Sequence, residues 1–261
     1  MSRLRKIYFA KLVFRVIILG CIIGLYITNP IEFDIILRWN FFDHFSPLHI
    51  LYAIWLYDMI NQLIPKSKHI ALGSQKLFKY RFRDITEGLK TQTDKLKETL
   101  KEETNRLKQL NYEKLREYVI NTTKKAYKVF AIWISLIVMI GILYFTHIIS
   151  HKEIFIISTL FFVCDLICVL IWCPFRLLLG NKCCTTCRIF NWDHLMMFLP
   201  FVFIPGIFTT SILLLSIAIW LVWEIYMMIH PERFWQTTNV SLRCSECTDK
   251  LCTQYCKKLR K

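Results

Sequence analysis

Apolar positions in this chain fall into blocks rather than stripes. Runs near 12–28, 47–64, 129–149 and 154–175 are nearly free of charge. A fifth, 195–229, has no charged residue between Leu195 and Trp223. Crossing a bilayer as a helix takes about 20 apolar residues, and the first four runs are close to that length. The fifth is too long for one straight span: as a single helix it would reach about 52 Å, against a hydrocarbon core of about 30 Å. It is expected to fold back, at Pro205 and Gly206 or at Thr209, Thr210 and Ser211. That gives either two spans or a re-entrant half-helix followed by one span. The expected fold class is all-α: a polytopic integral membrane protein with about six transmembrane helices.

Composition agrees. Of 261 residues, 55% are hydrophobic and 15% aromatic, with only 7 Gly and 7 Pro, which excludes a disordered chain. The charge is lopsided, 34 Lys+Arg against 19 Asp+Glu. With membrane runs present, this excess is read as positive-inside topology rather than as a nucleic-acid footprint, and no nucleic acid is expected as a partner. The start, MSRLRKIYFAKLVFRVIILG, has a basic flank and an apolar core but no small-residue cleavage site, so an uncleaved first span is expected. With the N-terminus cytosolic and six spans, all basic residues except Arg38 and Lys152 face inward, the group up to Arg15 among them. Both termini are then cytosolic, and the plasma membrane of a bacterium is the expected location.

The units expected are a transmembrane hairpin (1–64), a basic helical cytosolic segment (65–128), a second hairpin (129–180), a Cys-rich loop (181–194), a third hairpin or re-entrant segment plus span (195–230), and a Cys-rich basic tail (231–261). From Asp84 onward only Gly88 weakens a helix, which is expected to run unbroken into the third span. Ile85, Leu96, Leu107 and Tyr118 recur every eleven residues, with Leu89, Leu100 and Leu110 as a second row. Such a repeat keeps an apolar stripe nearly straight. The stripe suits a coiled-coil partner or second copy through 84–128, or a helix lying back on its own protein.

Eleven cysteines refine the picture. Cys183, Cys184, Cys187, Cys244, Cys247, Cys252 and Cys256 all fall in expected cytosolic segments, where thiols stay reduced, so metal ligation is expected instead of disulfides. Cys184 with Cys187, and Cys244 with Cys247, form two-residue knuckles, and two knuckles make a four-thiolate zinc site. The alternative partition closes one site within the tail alone and another from Cys183, Cys184, Cys187 and His194. The tail spacing resembles a retroviral-type zinc knuckle, with Cys252 at the histidine position. It lacks the glycine and aromatic of such knuckles, so RNA binding is not implied. An iron–sulfur cluster is compatible with the same ligands.

Asp58, Asp165 and Glu224 interrupt apolar runs. Charges there cost several kcal/mol by order of magnitude and mark a polar pathway or a paired site by default. Cys164 and Cys168 share a helix face beside Asp165, a donor set for a transition metal, and Cys173 with Pro174 is expected to end that span. The plain alternative has each acid hydrogen-bonded to a neighbouring tryptophan or tyrosine, such as Trp55, Trp172 or Trp220. Trp39, Trp192 and Trp235 are expected in interfacial belts, Asn191 or Asp193 as a helix N-cap, Cys21 as inert, and Met196 and Met197 as packing. His44, His49, His147 and His151 are expected to be unrelated.

No phosphate-binding, dinucleotide, zinc-protease or nucleophile-elbow motif occurs. Enzymatic activity is therefore not expected. The leading expectation is a membrane scaffold, sensor or transport accessory whose cytosolic face is clipped by zinc. The alternatives are a metal-ion or proton transporter using Asp58, Asp165 and Glu224, and a membrane redox protein with an iron–sulfur or thiol centre.

Overall fold

The computed structural model describes residues 3–37, 39–43, 45–64, 99–175, 188–239 and 242–243, with backbone alone at 3–4, 99–111, 188 and 190. Most of these residues are helical, with no strand among them. The α-helices are α1 (Arg3–Thr28), α2 (Pro47–Leu63), α3 (Thr99–Phe145), α4 (His151–Leu170), α5 (Asp193–Phe198) and α6 (Ile207–Ile229). Among the described residues, four stretches are long and apolar enough to cross a membrane: Arg5–Thr28, Tyr112–Phe145, His151–Leu170 and Ile207–Ile229. Their outward faces are greasy. Ile27, Phe145, Leu214 and Met228 are each more than 60% exposed, as lipid-facing side chains are. Helix α2, at 17 residues, and the apolar Asp193–Phe203 segment are shorter.

Helix starts follow local capping chemistry. At α4, Ser150 Oγ accepts the Lys152 N–H at 3.3 Å, and Glu153 accepts the Ser150 N–H at 2.7 Å, a complete capping box. At α2 the same device uses a histidine. Ser46 N–H donates to His49 Nδ1 at 2.9 Å, while Nε2–H reaches the Phe41 carbonyl at 2.7 Å, and Pro47 fills the first helical position. His49 is thus a capping residue and His151 pairs with Asp34 at 3.0 Å, so these two histidines serve unrelated ends.

The 3-10 helix Pro30–Leu37 between α1 and α2 forms a lid on one end of the bundle, with Phe33 and Ile36 fully buried. It is tied down by Glu32, which accepts from Ser46 Oγ at 2.9 Å, and by Asp34, which pairs with Lys152 at 3.4 Å. The core beneath is aromatic. Trp55 packs against Phe155, Phe162, Phe198, Phe201 and Phe208 at centroid distances of 4.7–5.9 Å, geometry that adds about 0.5–1.5 kcal/mol per pair beyond burial.

The long apolar stretch folds back at Pro205 and Gly206. Helix α5 continues as a 3-10 turn, Leu199–Phe203, and the chain reverses into α6. A Cβ on Gly206 would sit 2.0 Å from the Ile36 carbonyl oxygen, so only glycine lets this turn meet the lid. Helix α3 is unbroken over 47 residues, as its pattern predicts from Thr99 onward. Beyond the bundle it rests on the segment after α6, where Tyr118 stacks on Trp235 at 5.5 Å. That contact uses one position of the eleven-residue stripe within the protein itself. Positions 84–98 lie outside the described residues.

Candidate intramembrane polar site

Three helices turn a charged residue inward because each charge sits on the seam that faces the bundle. On α1 the buried seam is Tyr8, Leu12, Arg15 and Ile22; on α2 it is Leu51, Trp55, Met59 and Gln62, with Asp58 beside it; on α4 it is Phe155, Ser158, Phe162 and Leu166, with Asp165 beside it. Spacings of three and four residues keep each set on one face. Asp58 and Asp165 each lie five residues before the end of their helix, about 7.5 Å from it.

Arg15 joins the two acids. Its Nη2 donates to Asp58 Oδ2 at 2.6 Å and its Nη1 to Asp165 Oδ2 at 2.9 Å. Nη1 also donates to the Phe162 carbonyl at 2.6 Å, and the guanidinium lies 3.8 Å from the centroid of the Phe162 ring. Arg15 is 7% exposed. Arginine suits this place because its rigid fork engages two carboxylates, and its flat face tolerates an aromatic better than an ammonium would. This corrects the sequence expectation for Arg15: it belongs to the bundle interior, not to the aqueous basic cluster.

A second polar group adjoins the first. Asp193 Oδ1 accepts from Gln62 Nε2 at 3.0 Å, from the His194 N–H at 2.7 Å and from His194 Nδ1 at 2.9 Å. His194 lies within electrostatic range of Asp58 and Asp165. The Gln62 Oε1 and His194 Nε2 atoms are buried, with no hydrogen-bond partner among the described residues. Three carboxylates, Asp58, Asp165 and Asp193, thus share this region with Arg15, His194 and, within electrostatic range of Asp58, Lys11.

Glu224 belongs to a neighbouring contact, where Trp192 Nε1 donates to its Oε1 at 2.8 Å. So a tryptophan does hold this acid, though it is none of the three expected. Trp192 is 1% exposed and packs against Tyr127, Phe130 and Trp220; it is a core residue, not an interfacial one. It is also the backbone N-cap of α5, without a side-chain cap bond, whereas Asn191 or Asp193 was expected there. The consecutive residues Trp192, Asp193 and His194 therefore link Glu224 to the Arg15 group.

Beside Asp165 opens a cleft of about 230 Å³. Cys164, Asp165, Cys168 and Cys173 line it from the α4 side, and Asp193, Met196 and Met197 from the α5 side. Trp133, Phe161 and Phe175 add apolar surface to its lining. Cys164 and Cys168 do share a face with Asp165, as the helical spacing predicts. Helix α4 ends at Leu170, three residues before Cys173. Cys21 is exposed on α1, away from this group.

Among the described residues, no three His, Cys, Asp or Glu side chains are placed to hold a metal ion. Cys183, Cys184, Cys187, Cys244, Cys247, Cys252 and Cys256 lie outside the described residues, as does His44. No family model, curated protein or solved structure matches the chain.

Proposed function

We propose that this is a multi-pass membrane protein that moves a small cation, a proton or a metal ion, through its interior. The observation that carries this reading is the convergence of Arg15, Asp58 and Asp165 from three helices in a chain whose helices face outward with apolar side chains. A buried charge is expensive in lipid and is kept where it pairs or marks an ion path. In this reading the Arg15 fork holds the two acids at fixed positions, and the carboxylates receive the passing ion. Asp193 and His194 extend the polar track toward the end of the bundle where α4 stops. With the positive-inside rule applied to the basic residues, that end and both termini would face the cytosol.

The test is reconstitution of the full chain into liposomes with pH-sensitive and metal-sensitive dyes inside. Wild type is expected to carry a cation down its gradient. Asp165→Asn is expected to slow it at least tenfold while keeping the wild-type chromatographic profile. Wild-type flux no greater than that of protein-free liposomes overturns the reading.

A second reading has its own support. The segments flanking the two cysteine groups both rest on α3: Ile189 clusters with Ala126 and Val129, and Trp235 stacks on Tyr118. This makes α3 a common base from which a zinc ion held by Cys184, Cys187, Cys244 and Cys247 would clip the cytosolic face, with the arm of α3 recruiting a partner. Elemental analysis of purified wild type beside Cys184→Ser and Cys247→Ser tests it. Each substitution is expected to remove the same zinc, and a metal-free wild type discards the clip.

A further inference from the structure

We infer that the cleft beside Asp165 is a binding site for a soft monovalent cation, Cu(I) or Ag(I), held by the Cys168 and Cys173 sulfurs. Cys168 lies in the last turn of α4 and Cys173 just beyond its end, and both line the same side of the cleft. Two thiols on one wall of a cleft are the minimum donor set for an ion that binds two sulfurs. Across the cleft stand the thioethers of Met196 and Met197. Thiolate and thioether donors select Cu(I) over the harder divalent ions.

Geometry separates this ion class from zinc. Zinc needs three or four protein ligands gathered on one point, and no three His, Cys, Asp or Glu groups among the described residues are so placed. Cu(I) and Ag(I) are satisfied by two sulfurs in line, with a thioether as an optional third. On binding, two S–H bonds break, two metal–sulfur bonds form and two protons leave to solvent; no electron is transferred. Trp133, Phe161 and Phe175 supply the apolar walls beside the sulfurs. That this ion is also what moves rests on the transport reading above; binding at the sulfur pair does not.

The experiment titrates anaerobic Cu(I) into the detergent-solubilised full chain against a colorimetric Cu(I) chelator. The Cys168→Ser/Cys173→Ser variant is expected to lose one equivalent relative to wild type, and Cys21→Ser none. Met196→Leu/Met197→Leu is expected to keep the equivalent but weaken it at least tenfold. A second measurement needs no variant: saturating Ag(I) is expected to protect Cys168 and Cys173 of wild type from alkylation, read by peptide mass spectrometry, while Cys21 stays reactive. Unchanged alkylation of the pair, or equal Cu(I) stoichiometry in the double variant, overturns the site. Protection by Zn(II) as strong as by Ag(I) overturns the ion class. Binding without flux in liposomes leaves the site standing and removes transport, whereas proton flux without Cu(I) binding does the reverse.

Discussion

Replacing Arg15 by methionine keeps much of the side-chain volume and removes the charge that Asp58 and Asp165 share. Three hydrogen bonds go with it: those to Asp58 Oδ2 at 2.6 Å, Asp165 Oδ2 at 2.9 Å and the Phe162 carbonyl at 2.6 Å. The larger effect is what stays behind, two acids on neighbouring seams with no cation between them. Removing one partner of a buried ion pair typically costs about 3–5 kcal/mol. Because the acids must then be protonated or repel, Arg15→Met is expected in that range. The logic also predicts a rescue. In Arg15→Met/Asp58→Asn/Asp165→Asn every charge is gone, and swapping a buried ionic group for uncharged residues of similar size is often neutral or stabilising. The triple variant is therefore expected to regain most of the loss, within about 1–2 kcal/mol of wild type, which allows for imperfect amide hydrogen bonds. The assay is reversible denaturation in mixed detergent micelles, followed by tryptophan fluorescence. A single variant within about 1 kcal/mol of wild type, the scale of an exposed pair, refutes the argument. So does a triple variant no more stable than the single.

Gly206→Ala places a Cβ 2.0 Å from a backbone oxygen of the lid, whereas at Gly141 the added Cβ would meet the end of the Phe203 ring at 2.4 Å. Backbone cannot step aside as a side chain can, so Gly206→Ala is expected to destabilise the fold more than Gly141→Ala in the same assay; the reverse order discards the close-approach account. Trp192→Phe keeps the ring packing but removes the 2.8 Å bond to Glu224, with an expected loss of about 1.5–3 kcal/mol, as for hydrogen bonds to charged groups. A change below about 0.5 kcal/mol would place that bond in a wet environment.

How far this architecture could be read beforehand depended on whether the signal was local. The helices of α1, α3, α4 and α6 were legible because bilayer thickness sets the length of an apolar run. A reversal within 195–229 was legible because a 35-residue run cannot fit, but the pattern left its place open between Pro205 with Gly206 and Thr209 to Ser211. Asp58 and Asp165 stood out because an acid is rare among leucines and isoleucines. Arg15 did not, because Arg5, Lys6 and Lys11 precede it and it was grouped with them. The spacing Tyr8, Leu12, Arg15, Ile22 puts it on the inward seam, and that was the available clue. The burial of Trp192 was not legible at all, since it depends on Glu224 lying one helix away. Nor was the Pro30–Leu37 lid: eight residues with two acids read as a loop until Phe33 and Ile36 find the aromatic core.

Helix α3 has a mechanical consequence. It contains no proline from Thr99 to Phe145, and 47 residues make a rod about 70 Å long. Its contact at Tyr118 with Trp235 divides that rod into an arm of about 29 Å toward Thr99 and about 35 Å toward Gly141, where the Phe203 ring abuts it. Between these points α3 is also held at Ala126, Val129 and Trp133. The rod is therefore a strut that ties the segment after α6 to the hairpin carrying Phe203, with only the arm toward Thr99 standing clear of those contacts.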